Sequence, residues 1–142
     1  MAETLRLEIL TPYGEVFSAD VQEVSASGTE GDFGVLPGHA PFVTTLRIGM
    51  VVARQDGREL FFFVNRGYAE VGPQRVLILA DSAERAEDID VQRALAAKKR
   101  AEERLKRQDK IDFARAQAAL ERAVMRVQVA ERRQPQRTPS AE

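Results

Sequence analysis

A chain of 142 residues, 44% hydrophobic and 30% charged, has the composition of one or two globular domains. Its 21 basic and 22 acidic residues cancel to a net charge of −1, which argues against a body built throughout to hold nucleic acid. The absence of cysteine excludes disulfides, thiolate nucleophiles and Cys-ligated zinc or iron–sulfur centres, and the single histidine, His39, excludes any two-histidine metal site. Apolar runs such as Leu60 to Val64 fall far short of the ~20 residues of a membrane-spanning helix. The start, Met1-Ala2-Glu3-Thr4-Leu5-Arg6, lacks the basic and apolar regions of a signal peptide. The expectation is a cytosolic chain that meets a membrane only through a partner.

The charge balance conceals a split. Residues 1–84 hold 6 basic and 12 acidic residues, net −6, whereas residues 85–142 hold 15 and 10, net +5. Every glycine precedes residue 73, and Gln74 to Gln134 contains neither glycine nor proline. A change of composition of this kind marks a domain boundary near residue 85.

The first half reads as strands. Leu5, Leu7 and Ile9 alternate with polar neighbours at the period of two of a half-buried strand, and Pro12 and Gly14 mark a turn. Val16, Phe17, Val21 and Val24 suggest further short strands. The stretch GTEGDFG that follows spaces its glycines as neither a Walker A loop nor a G-x-G-x-x-G fingerprint, and is expected to be a surface loop. Two apolar runs, 48–54 and 58–64, flank Gln55-Asp56-Gly57, a hairpin signal because glycine accepts the positive φ of the tight turn. Gly72-Pro73 is another turn, and Val76 to Leu79 another strand. Short strands at such spacing predict an antiparallel β-sandwich or barrel over residues 1–84.

The second half reads as two helices over residues 88–133, followed by a polar, proline-bearing tail at 134–142 that is expected to be disordered. Ala94, Ala97, Ala101 and Leu105 line one face of the first helix. After a polar stretch, Asp112 is placed to cap the second helix, whose seam is Phe113, Ala116, Leu120, Ala123, Val127 and Ala130. Heptad-like steps predict an antiparallel hairpin. Its seams are mostly alanine, which favours each helix but buries little area, where a leucine or phenylalanine contributes about 1.5–3 kcal/mol. Such a hairpin is either a permanent small unit or one able to detach and pack elsewhere.

Arginines are the residues of chemical interest. Arg115, Arg122, Arg126 and Arg133 fall within about 40° of one another on the second helix, and Arg93, Arg100, Arg104 and Arg107 cluster on the first. Guanidinium groups bind carboxylate or phosphate bidentately, so two stripes meeting across a hairpin could hold a polyphosphate or an acidic protein surface. A solvated charged face interleaved with Glu102, Glu103 and Glu121 is the plainer alternative. His39, in LPGHAP, points to a structural hydrogen bond or a partner contact rather than catalysis, and no catalytic constellation is present.

GDFGVLPGHAPFVTTLRIGMV, FFFVNRGYAEV and VLILADSAER resemble the epsilon subunit of F-type ATP synthases, and EDIDVQRALAAKKRAEERL with IDFARAQAALERAVMRV resembles that family's C-terminal domain. The likeness runs from residue 3 to about residue 131 in the family's order and spacing. It implies an N-terminal β-sandwich followed by a helical hairpin, in a non-catalytic rotor subunit of the central stalk. The partners implied are the gamma subunit, the c-ring and the catalytic head, with no nucleic acid. The implied place is peripheral, on the cytoplasmic face of a bacterial inner membrane or its plastid thylakoid equivalent. The family couples proton-driven rotation to catalysis elsewhere and restrains ATP hydrolysis by extending its hairpin. No cofactor is required, but some members bind ATP as a regulator, and the resemblance carries that site onto Glu84, Asp90, Arg93, Ala94, Arg100, Arg122 and Arg126, beside Ile89 and Val91. It further implies partner contacts at Asp32 and His39 in the sandwich and at Arg115, Arg122, Arg126 and Arg133 in the hairpin. Two other readings stay open: a stand-alone ATP sensor, and an adaptor whose basic helices bind an acidic protein or nucleic acid.

Overall fold

Residues 3–107 and 113–133 are described by a computed structural model. Asp112, the expected helix cap, most of the polar stretch between the helices and the tail 134–142 lie outside them. Seven strands come first: β1 (Leu5–Thr11), β2 (Gly14–Val21), β3 (Glu23–Gly28), β4 (Gly31–Val35), β5 (Phe42–Gln55), β6 (Arg58–Val71) and β7 (Arg75–Arg85). A single 3-10 turn, Ala86–Asp88, leads into helices α1 (Val91–Lys106) and α2 (Phe113–Glu131).

The strands are hydrogen-bonded in the order β2-β1-β7-β6-β5-β3-β4. This is the β-sandwich expected, with one departure: β1 and β7 run parallel, Leu7 opposite Val76 and Ile9 opposite Ile78. The β6–β7 hairpin fixes the direction of β7, and β1 completes the layer on its free edge. GTEGDFG is not a surface loop but a hairpin, in which only Thr29 and Glu30 turn the chain and Asp32 to Gly34 belong to β4. Asp56 and Gly57 turn β5 into β6 with both φ angles positive, at 51° and 78°, as the Asp-Gly pair requires.

β5 and β6 are each 14 residues long, not short, and each serves both layers. Phe42–Leu46 pair with Gly67–Val71, and Gly49–Gln55 with Arg58–Val64; the ladder breaks between. At the break Arg66 has φ +52°, and Gly67 approaches β7 so closely that a Cβ there would fall on the Leu79 carbonyl oxygen and lie 2.8 Å from Ala80 Cα. Glycine alone permits that approach, and the bend folds one hydrogen-bonded sheet into two facing layers. Between them lie Leu5, Leu7, Ile9, Val21, Val24, Val51, Phe62, Val64 and Ile78, all buried, with Phe17 and Phe62 meeting edge to face across the gap at 5.1 Å.

The run Leu60–Val64 is apolar throughout because both faces of β6 are covered there. Phe62 and Val64 point into the sandwich, whereas Phe61 and Phe63 point outward and receive the helices. A second cluster forms on that outer face: Ile48, Phe63, Ala86, Ile89, Val129 and Ala130, with Met50, Phe61, Val91 and Met125 against it. Between the helices Ala94, Ala101, Ala116 and Ala123 are buried, as the seam predicted, while Ala130, the last seam position, is buried in the second cluster. Phe113 is a correction. Counted in the seam, it is 54% exposed, because it opens α2 at the hairpin tip, where α1 offers Leu105 and then only Lys106 and Arg107.

Candidate functional site

Antiparallel packing brings the start of α1 beside the end of α2, and both against the last residues of β7. A cavity of about 370 Å³ opens at this junction, lined by Glu84, Asp88, Asp90, Arg93, Ala94, Ala97, Arg100 and Arg126. Six of the seven residues onto which the resemblance carries a nucleotide site thus meet around one space; Arg122, half-buried one turn from Arg126, does not border it.

Each lining residue is placed by a local cause. Asp90 is the N-cap of α1: its Oδ1 accepts the Arg93 backbone N–H at 3.0 Å, satisfying one of the four free donors of the first turn. Arg93 and Arg100 lie two turns apart on α1, at a spacing that keeps them on one face. Ala94 and Ala97 keep the wall shallow. Arg126 lies over the Phe63 ring, with its guanidinium carbon 4.5 Å from the ring centroid, and donates through Nε to Glu84 Oε1 at 3.3 Å. Three guanidinium groups drawn from two helices therefore converge on one opening, an arrangement suited to several anionic oxygens at once. Among the described residues no cluster of His, Cys, Asp and Glu suits a metal ion.

The other expected contact residues are dispersed. Asp32, on β4, accepts from Arg47 at 3.0 Å. His39 Nδ1 lies 2.7 Å from the Ala40 carbonyl oxygen, and its ring tilts against Phe42. Arg115, on α2, is exposed; Arg133, expected on the same helix, lies two residues beyond its end at Glu131 and is exposed too.

A second surface was not singled out from the sequence. Among the described residues the helices cover only one outer face of the sandwich, and nothing covers the outer face of the layer built from β2, β1 and the paired halves of β7, β6 and β5. Thr45, Tyr68, Leu79 and Leu10 form one cross-strand row there, and Val43, Glu70, Leu77 and Glu8 the next. Val43 is 68% and Tyr68 47% exposed, and Tyr68 borders a groove of about 450 Å³ with Leu10, Pro12 and Leu79. An apolar stripe rimmed by charge marks a protein-binding surface. The available signal was the apolar run 76–80, which leaves large side chains on both faces of a strand that only one core can bury.

Among the described residues no helix is long and apolar enough to cross a membrane. Comparison with known proteins places these features together. Residues 4–86 match the model of the ATP synthase delta/epsilon chain β-sandwich domain, and residues 87–131 that of the delta/epsilon chain long α-helix domain. The ATP synthase epsilon chain of Thermodesulfovibrio yellowstonii is 56% identical over 107 residues, 75% of this chain and 76% of the relative. That of Pelotomaculum thermopropionicum is 53% identical over 103 residues, 72% and 77% of the two chains. The fold is also that of a chain in the Euglena gracilis mitochondrial ATP synthase OSCP/F1/c-ring structure, with a TM-score of 0.77 at 22% identity over 85% of this chain and 78% of the other. With matches to both of its domains and relatives above 50% identity, the chain belongs to the ATP synthase delta/epsilon chain family.

Proposed function

We propose that this chain is the epsilon subunit of an F-type ATP synthase, a non-catalytic rotor component that joins the gamma subunit and the c-ring in the central stalk. The bare face around Val43, Tyr68, Leu79 and Leu10 is the single observation that carries the reading. It is an apolar sheet surface that no described residue covers while the opposite outer face is occupied by helices, which is what a subunit held permanently by a partner requires. In this reading residues 1–84 are the anchoring unit, peripheral to the membrane and on its cytoplasmic side, and residues 88–133 the regulatory one. Co-expression with the gamma subunit is the test: Tyr68→Glu should abolish co-purification while leaving the circular dichroism spectrum unchanged. Retention of gamma by a folded Tyr68→Glu chain would sink the assignment of this face.

The alanine seam supports a hairpin that lets go. Extended, α2 and the residues just after it would present Arg115, Arg122, Arg126 and Arg133 to acidic residues of the catalytic head and restrain ATP hydrolysis. Folded down, it closes the arginine cavity, and ATP is the regulatory ligand suited to it. A ligand touching both helices stabilises only the compact form, by RT ln(1 + [L]/Kd), about 2.7 kcal/mol at a hundredfold excess over Kd. Calorimetric titration of the full chain tests this part: ATP should bind, and Arg93→Ala should weaken it. Absence of heat at millimolar ATP with the helices folded would leave the arginines as partner contacts.

A further inference from the structure

Arg126 is held by the sandwich from two directions. Phe63 on β6 and Glu84 on β7 are direct cross-strand partners and share the outer face that receives α2. The guanidinium stacks over Phe63, which is fully buried, and pairs with Glu84 at 3.3 Å. Arg126 is 27% and Glu84 34% exposed, so water screens the pair only in part. Among the described residues it is the one ion pair that joins the helices to the sandwich; the others lie within the sandwich or within α1.

The same two groups border the cavity. Around it stand Arg93, Arg100 and Arg126, and against them Glu84, Asp88 and Asp90, so the empty space is close to neutral. Asp90 is committed to the backbone of α1 and Glu84 to Arg126. A polyanion entering here gains the attraction of Arg126 only to the extent that Glu84 releases it. The carboxylate also faces the entering charge across the same opening, and like charges repel.

We propose that Glu84 and the phosphate groups of a polyphosphate compete for Arg126. Empty, the Glu84–Arg126 pair, seated on Phe63, is the catch that holds α2 against the sandwich. Filled, the ligand takes over the arginine, and Glu84 acts as a built-in competitor that sets the cavity's affinity. The inference rests on the reading of the cavity as a polyphosphate site. It gives Glu84 opposite effects on the two states: its charge tightens the empty hairpin and weakens the occupied one.

The test uses the full chain and its Glu84→Gln variant, which keeps shape and hydrogen bonding and removes the charge. Inorganic triphosphate, which has no base, is titrated calorimetrically into each. Amide hydrogen exchange of the ligand-free chains is followed in α2 and, as the control for folding, in the strands. The variant should bind triphosphate up to about fivefold more tightly, the equivalent of a half-exposed ion pair. Its α2 amides should exchange faster while the strand amides do not change. Equal or weaker triphosphate binding by the variant, with the parent chain binding, overturns the competition and leaves the cavity as a polyphosphate site. Binding by neither chain overturns the cavity reading and the competition with it. Unchanged exchange in α2 overturns the catch.

Discussion

The sandwich and the hairpin bury their apolar surface in different ways. Between the two layers lie leucine, isoleucine, valine and phenylalanine, many with no exposed surface at all. Between the helices lie alanines, and the larger side chains of α2, Met125 and Val129, face the sandwich instead of α1. At about 25 cal/mol per Å² of apolar area, the first arrangement supports a fold of its own and the second does not. The hairpin therefore depends on what lies beneath it: the Ile48–Phe63–Val129 cluster and the Arg126–Glu84 pair. A unit held from outside can exchange that support for another surface, whereas a unit held from inside cannot.

Four variants would sharpen or break this contrast. Phe62→Ala, between the layers, should cost about 3–5 kcal/mol and unfold the whole chain cooperatively in a denaturant titration. A loss confined to the helices would mean that the sandwich core is not the source of stability. Ala123→Leu forces a larger side chain into the seam and should cost about 1–3 kcal/mol. It should be seen as faster hydrogen exchange in α1 and α2 with the strands unaffected; equal loosening of the strands would show that the two units fold as one. Asp90→Ala removes the cap of α1 and should cost about 1 kcal/mol, read as reduced helical signal at 222 nm on warming. Replacing Arg115, Arg122 and Arg126 together by alanine should relieve restraint of ATP hydrolysis in the assembled enzyme. Each exposed pair contributes only about 0–1 kcal/mol, so the three act jointly. Unchanged hydrolysis in that variant would remove charge from the account of inhibition.

What could be read from the sequence was what is local. Asp56-Gly57 announces its hairpin because the turn chemistry is carried by two adjacent residues. The alanine seam is legible from periodicity alone. Periodicity gave α2 one buried face, however, and α2 has two: Val129, one residue before the seam position Ala130, is fully buried against the sandwich. β6 reads as a shorter strand because the polar Asn65-Arg66-Gly67 ends the apolar run there, where the bend breaks the ladder before pairing resumes. The resemblance gathered the cavity residues, but not their present bonds. Glu84 and Arg126 are 42 positions apart, and their pairing depends on how α2 is seated on Phe63.

The parallel pairing of β1 with β7 has a consequence for the order in which the chain is made. β1 and β2 emerge first from a ribosome and can form their hairpin at once. The other edge of β1 has no partner until Arg75 to Leu79 have been synthesised. Until then Arg6 to Leu10 present open backbone donors and acceptors beside Leu7 and Ile9, a template for pairing with another chain. Closing this edge joins residues some seventy positions apart, a contact whose loop entropy must be met before it contributes anything. The nascent sandwich is thus most exposed to misassembly just before its last strand appears, and that strand leads directly into the helices.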